Sequence, residues 1–328
     1  MARFAKYTWG VLAANLGVVL WGAYVRASGS GAGCGSHWPL CTGEVIPQSP
    51  TVATLIELTH RATSGAALLL VVGLLMWSRR VAPPGSPVRL GALCSMLFML
   101  GEAGIGASLV KLELVAHNAS LARALYLSAH LLNTFLLLGS LALTAWWASG
   151  GLPVQFQGRT ARVWLLGIGI LGTLLVGMTG AITALGDTLF PAGSLLEGLR
   201  QDTSGTAHLL VRLRVLHPVL AIGTGLYLLA LAASFAARGQ GPTVTGLARG
   251  LGTLVAAQWV AGLANVALLA PVWLQLTHLL LADLVWIVLV LLGAAVLAQP
   301  ATSRVAVAET PLDRAAPAGV RPGAGARR

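Results

Sequence analysis

Apolar stretches recur along the chain near residues 8–27, 52–77, 89–110, 122–147, 161–184, 208–236, 247–268 and 271–298, with polar residues collected between them. An α-helix rises about 1.5 Å per residue, so about 20 residues cross the roughly 30 Å of bilayer hydrocarbon. Each stretch reaches that length. Backbone groups inside hydrocarbon must be satisfied within the segment, so the pattern predicts helices. Gly and Ala are frequent in them, as expected where membrane helices pack closely. The expected fold is an all-α membrane protein with eight transmembrane helices. The first stretch is long enough to span and is followed by more of the same, so it reads as a span and not as a cleavable signal peptide. The Pro-, Ala-, Gly- and Arg-rich stretch 301–328 is predicted to be a disordered tail.

The pattern also repeats. Glu102-x-x-x-Gly106-x-x-x-Val110 in the third stretch matches Gln258-x-x-x-Gly262-x-x-x-Val266 in the seventh. The LTHR around His60 aligns with VLHP around His217, and LSAHLL around His130 with LQLTHLL around His278. Four stretches separate the copies, so both keep one orientation, as in a parallel repeat. The prediction is two tandem, pseudo-symmetric four-helix bundles, 1–150 and 151–300, each with a site in its core.

Composition agrees with the membrane reading. The 328 residues are 56% hydrophobic and 9% charged, with mean hydropathy +0.80. Soluble domains carry about 25% charged residues. A net charge of +11 would suggest nucleic acid in a soluble chain, but here the charges sort by side. Arg3 and Lys6, then Arg79, Arg80 and Arg89, then Arg159 and Arg162, then Arg238 and Arg249, and last the tail arginines fall on one side. The other side holds Arg26, Lys111, Arg123 and Arg200 among Glu44, Glu113, Asp187, Glu197 and Asp202. The positive-inside rule then predicts a multi-pass cell-membrane protein with both termini cytoplasmic and the loop bearing Cys34 and Cys41 outside. The surroundings are membrane lipid, and nucleic acid is not an expected partner.

His60, His130, His217 and His278 lie inside apolar stretches. Ionisable rings in a bilayer are costly and rarely unpartnered, and imidazole is a standard axial ligand of haem iron. Each lies in the outer half of its span, His278 slightly shallower than the others at about nine residues. Within each half the second and fourth helices run the same way, so their histidines can face each other. Two haem sites are predicted, with His60 and His130 at one and His217 and His278 at the other.

Glu57 is three residues before His60 and shares its helical face; a carboxyl there could exchange protons at a haem edge. The alternative is a structural acid near the helix start. The corresponding position before His217 is Arg214, which cannot act as a base. Chemistry is therefore expected at the first pair and cofactor holding at the second. Arg61, Arg212 and Arg214 lie near the outer interface, where guanidinium suits a propionate or simply snorkels. Cys34 and Cys41, spaced C-x6-C in GCGSHWPLC, face an oxidising side where a disulfide can form; the spacing does not separate a staple from a redox pair. His37, His117 and His208 are expected to be solvated, and Cys94 to be a packing residue.

Together these features resemble the haem A synthase family: the duplicated eight-span pattern, Glu57-x-x-His60-Arg61, His130, His217 with His278, the Cys34/Cys41 loop around Trp38-Pro39-Leu40, and the Gln/Glu-x-x-x-Gly motifs. The resemblance covers roughly residues 5–298. It implies oxidation of the C8 methyl of haem O to the formyl of haem A for terminal oxidases. It further implies haem b on His217 and His278 and the haem O iron on His60 and His130. Glu57 would act in oxidation or proton transfer, with a Cys34–Cys41 disulfide relaying electrons. A haem O synthase (protohaem farnesyltransferase) is the implied partner. Many members carry a second cysteine pair between spans five and six; the loop at about 185–207 has none. Two competing readings are a two-haem b-type, quinol-oxidising electron-transfer protein and a thiol oxidoreductase working through Cys34 and Cys41.

Overall fold

The computed structural model describes residues 1–298; the stretch 301–328 lies outside them. The spanning helices are α1 (Ala2–Ala27), α2 (Val52–Val81), α3 (Pro87–Lys111), α4 (Leu121–Ala148) and α5 (Thr160–Leu189). After the loop helix α6 (Leu195–Thr203) come α7 (Leu209–Leu213) and α8 (Leu216–Ala237), which together make the sixth span, then α9 (Pro242–Ala267) and α10 (Val272–Ala298). Among the described residues there are eight candidate spans, and the only β pairing is the isolated Cys41–Glu44 bridge. The all-α, eight-span expectation holds.

Local chemistry sets the helix starts. The side chains of Thr51, Ser86 and Ser120 accept from the amides of Thr54, Arg89 and Arg123, and Pro87 opens α3. A hydroxyl N-cap satisfies an amide that the first turn leaves open, and proline is tolerated there because its missing N–H would be unpaired anyway.

Three departures from the hydropathy pattern have clear causes. Helices α2 and α5 run on to Val81 and Leu189, past the expected 77 and 184, because a helix continues into the interface where polar residues are solvated. Helix α6 was not anticipated, although Ser194-x-x-Glu197 is a capping signature: Ser194 accepts from the Glu197 amide, and Glu197 accepts from the Gly193 amide. The sixth span breaks before Pro218, which has no N–H to give to the Arg214 carbonyl. His217 N donates to that carbonyl instead, at 3.2 Å, in a tighter i to i+3 bond. His217 therefore stands in the first turn of α8, not nine residues into a continuous helix.

Helix α1 packs on α2, α2 on α3, α3 on α4 and α4 back on α1, closing one ring. Helices α5, α8, α9 and α10 close a second ring in the same way. The rings meet through α4 and α10, the most deeply buried spans. On α10, Trp286, Ile287 and Leu291 join the core of the first ring, while Val285, Leu289 and Leu292 join that of the second. Trp286 stacks on Phe135 with ring centroids 5.3 Å apart, and its indole N–H donates to the Phe135 carbonyl at 2.5 Å. At one end of the bundle Arg26 of α1 donates to Ala184 O and Thr188 Oγ1 of α5 and to Gln275 Oε1 of α10. Arg159, next to the start of α5, donates to the Val296 and Leu297 carbonyls that end α10, where a cation offsets the negative helix end.

Candidate functional site

The two rings bring together the histidines that the sequence pairs. His60 comes from α2 and His130 from α4, within electrostatic reach of each other. His217 from α8 and His278 from α10 face each other directly, with ring centroids 6.4 Å apart and planes at 81°.

Backbone close approach shapes both pairs. A Cβ on Gly22 of α1 would come within 2.9 Å of His60 Cε1, and one on Gly180 of α5 within 3.0 Å of His217 Cε1. Only glycine lets the first helix of each ring lie against the imidazole. Sequence reasoning missed both glycines, though Gly22-Ala23 and Gly180-Ala181 occupy corresponding places in the two halves.

Nitrogen partners define the rings' chemistry. His217 Nδ1 lies 3.1 Å from the Val176 carbonyl. A carbonyl only accepts, so Nδ1 carries the proton and Nε2 keeps a lone pair for a metal. The buried Nδ1 atoms of His60, His130 and His278 have no hydrogen-bond partner among the described residues, although that of His130 is in ion-pair contact with a carboxylate. Gln258 Nε2 lies 3.1 Å from His278 Nε2, and Glu102 Oε2 lies 2.9 Å from His130 Nδ1. Among the described residues no group of three or more His, Cys, Asp or Glu could hold a bare ion. A porphyrin iron asks less of the chain, two axial nitrogens. Two metal–imidazole bonds of about 2 Å plus two ring radii separate the centroids by roughly 6 Å, which the His217–His278 pair matches. The residues present fit a haem group.

The loop of the cysteine pair is fastened onto the His60 helix. Cys34 and Cys41 form a disulfide, and both residues are fully buried. Buried Glu57 accepts from the Cys34 amide at 2.8 Å through Oε2 and from Arg61 Nη2 at 2.6 Å through Oε1. Arg61 Nη1 donates to the carbonyls of His37, at 2.7 Å, and Leu40, at 2.6 Å. Thr54 Oγ1 donates to Gly33 O at 2.8 Å, and a Cβ on Gly33 would strike the Ala53 backbone at 2.4 Å.

In the second ring Arg214 takes the corresponding place with the opposite charge. It pairs with Asp187 Oδ1 at 2.8 Å and Asp202 Oδ1 at 3.2 Å, and donates to Gln201 Oε1. Burial pushes the Asp202 carboxyl up against the pull of Arg214. Of the three guanidiniums expected near propionates, Arg61 and Arg214 are thus engaged by the chain itself. Arg212, His37, His117 and His208 are exposed and Cys94 is half-buried. Asp283, fully buried on α10 with no donor among the described residues, is a titratable group the hydropathy reading passed over.

Comparison with known proteins adds family context. The family model described as Cytochrome oxidase assembly protein (COX15-CtaA) matches residues 5–290. A protoheme IX farnesyltransferase of Thermus thermophilus is 52% identical over 300 residues, 92% of this chain and 49% of that protein. A heme A synthase of Exiguobacterium sp. is 34% identical over 164 residues, 50% of this chain and 52% of that protein. One from Bacillus mycoides is 40% identical over 111 residues, 34% of this chain and 36% of that protein. The chain spans about half the length of the Thermus relatives it matches.

Proposed function

The chain belongs to the COX15-CtaA family of cytochrome oxidase assembly proteins, and on that premise we propose that it is a membrane haem A synthase, oxidising the C8 methyl of haem O to the formyl of haem A. One observation carries this reading. Two histidine pairs sit in two helix rings, yet the buried Glu57 carboxyl one turn before the histidine and the disulfide loop bound to it stand over one of them only, with Arg214 in the acid's place at the other. A symmetric electron carrier gives no reason for that difference.

In this reading residues 1–150 form a substrate bundle and 151–300 a cofactor bundle. His60 and His130 hold the haem O iron; His217 and His278 hold haem b, His217 being oriented by the Val176 carbonyl. A bound haem supplies one-electron redox chemistry; the chain's own residues position it and manage protons. Glu57 is the group that takes up a proton at the first site. Its two carboxylate oxygens link the Cys34 amide to Arg61, which couples the loop to the His60 helix. The burial of both cysteines favours a staple over exchange with an outside thiol. Arg61 and Arg214, engaged by His37, Leu40 and Glu57 and by Asp187, Asp202 and Gln201 respectively, would fix the chain around each site. The clustering of basic residues at one end supports cytoplasmic termini and an external disulfide loop.

The Thermus relatives are about twice as long as this chain, which also matches heme A synthases. Their name fits fused proteins whose unmatched part performs prenyl transfer. By the same reading, haem O reaches this chain from a protohaem farnesyltransferase in the same membrane.

Co-expression with a haem O synthase, followed by chromatography of the extracted haems, tests the proposal. Haem A is expected from the native chain. Recovery of haem b alone from both sites would leave the electron-carrier reading in its place.

A further inference from the structure

The four histidines form two pairs, but their surroundings differ in one respect that the reaction scheme above does not use. Glu102 of α3 faces α4 and touches three side chains there. Its Oε2 lies 2.9 Å from His130 Nδ1. Its Oε1 accepts from Asn133 Nδ2 at 2.7 Å and from Thr134 Oγ1 at 3.1 Å. The three partners stand at i, i+3 and i+4, one face of one helix. Asn133 is fixed in turn by donating to the Phe98 carbonyl at 2.8 Å. It also lies so close to Gly101 that a Cβ there would come within 2.6 Å of its Oδ1. The carboxylate is therefore held, not free to swing.

The second half lacks this arrangement. By the sequence match, Gln258 replaces Glu102, and the residues three and four beyond His278 are Leu281 and Ala282 in place of Asn133 and Thr134. The Gln258 amide nitrogen meets the other ring nitrogen, Nε2 of His278. An uncharged side chain that meets α10 through His278, and whose Oε1 has no partner among the described residues, has replaced a fastened acid.

We infer that Glu102 is a positioning residue that makes His130 a stronger electron donor than its counterpart His278, setting the iron of the first site at a lower potential than that of the second. The inference rests on the proposal that the two histidine pairs hold haem. The physical reason is general. A metal-bound imidazole whose other nitrogen faces a carboxylate gains anionic character and ligand basicity, and electron donation from an axial ligand stabilises ferric over ferrous iron. An amide offers no negative charge for the same role. Asn133 and Thr134 compete with His130 for the carboxylate's electron density, so they modulate the effect.

The test uses the full chain carrying haem at both sites after co-expression with a haem O synthase, titrated spectroelectrochemically. Glu102→Gln should shift the first-site potential upward and leave the second-site potential in place, and Glu102→Asp should recover part of the shift. Thr134→Val removes a competing donor from Oε1 and should move the first-site potential downward. Opposite signs from neighbouring substitutions are not what general loosening of the fold produces. Should Glu102→Gln fail to retain first-site haem, Thr134→Val decides alone, and an unchanged or raised potential overturns the inference. His130→Ala separates the two levels. Loss of one haem signal there, with no shift in Glu102→Gln, defeats the inference only. Retention of both signals in His130→Ala defeats the site assignment and the inference with it.

Discussion

At Glu57 one carboxylate joins the Cys34 amide, Arg61 and the helix that carries His60. Removing it costs the first site the fastening of its outer loop and, on the proposed function, a proton acceptor. Glu57→Ala is therefore expected to block haem A formation while the absorption spectrum of haem b persists; normal haem A accumulation in that variant would remove Glu57 from the reaction. Gly22 and Gly180 make a second residue-level case. A side chain at either place collides with an imidazole at about 3 Å, closer than non-bonded carbons pack. Gly22→Val should lower haem occupancy at the first site, and Gly180→Val at the second, each leaving the other site's signal in place. Quantitative haem extraction reads this out, and equal losses at both sites would count against site-specific crowding. The histidines and Glu57 stand out in the sequence because polar groups in apolar runs are conspicuous. The glycines do not, because small residues are common throughout membrane helices and only the neighbouring ring gives these two their role.

Elements carry the next level. The disulfide loop docks on the first turns of α2 through Thr54, Glu57 and Arg61, and Gly33 lets the two backbones touch. Gly33→Ala forces the loop off α2. The buried Cys34–Cys41 bond should then be reduced by dithiothreitol markedly faster than in the native chain, as followed by mass-tagged alkylation. Replacing both cysteines with serine should lower thermal stability by about 2 kcal/mol or more, the usual contribution of a disulfide, without abolishing haem A formation. Complete loss of haem A with stability unchanged would favour the redox role. The loop's existence and its cysteines are readable from the sequence, but its seat is not, since the partners lie more than twenty residues downstream. The break between α7 and α8 was legible in principle from Pro218, yet the run of apolar residues around it hides the boundary.

At the scale of the whole molecule, two rings are tied at one end and at mid-span. Arg26 bridges α1 to α5 and α10 at one end, and Trp286 meets Phe135 deeper in the membrane. Trp286→Ala opens a cavity shared by both cores and should cost roughly 3 kcal/mol. The haem signals of both halves are expected to be lost at the same lowered temperature, because α10 serves both rings. If the second-half signal fell alone, the rings would be independent units.

What the sequence by itself determined follows from local physics. Bilayer thickness and the need to satisfy every backbone group specify helix type, number and approximate length, and the cost of burying imidazole marks the four histidines. Hydroxyl caps and proline then set the starts of several helices. What only the tertiary structure decided is which side chains meet. Glu57 reaches a backbone amide of the disulfide loop, Arg61 and Arg214 are held by their own loops, and glycines of α1 and α5 lie against imidazole rings. Those contacts depend on the rotation of each helix about its axis and on which helices are neighbours. Both are set by packing among segments far apart in the chain, where no local rule operates.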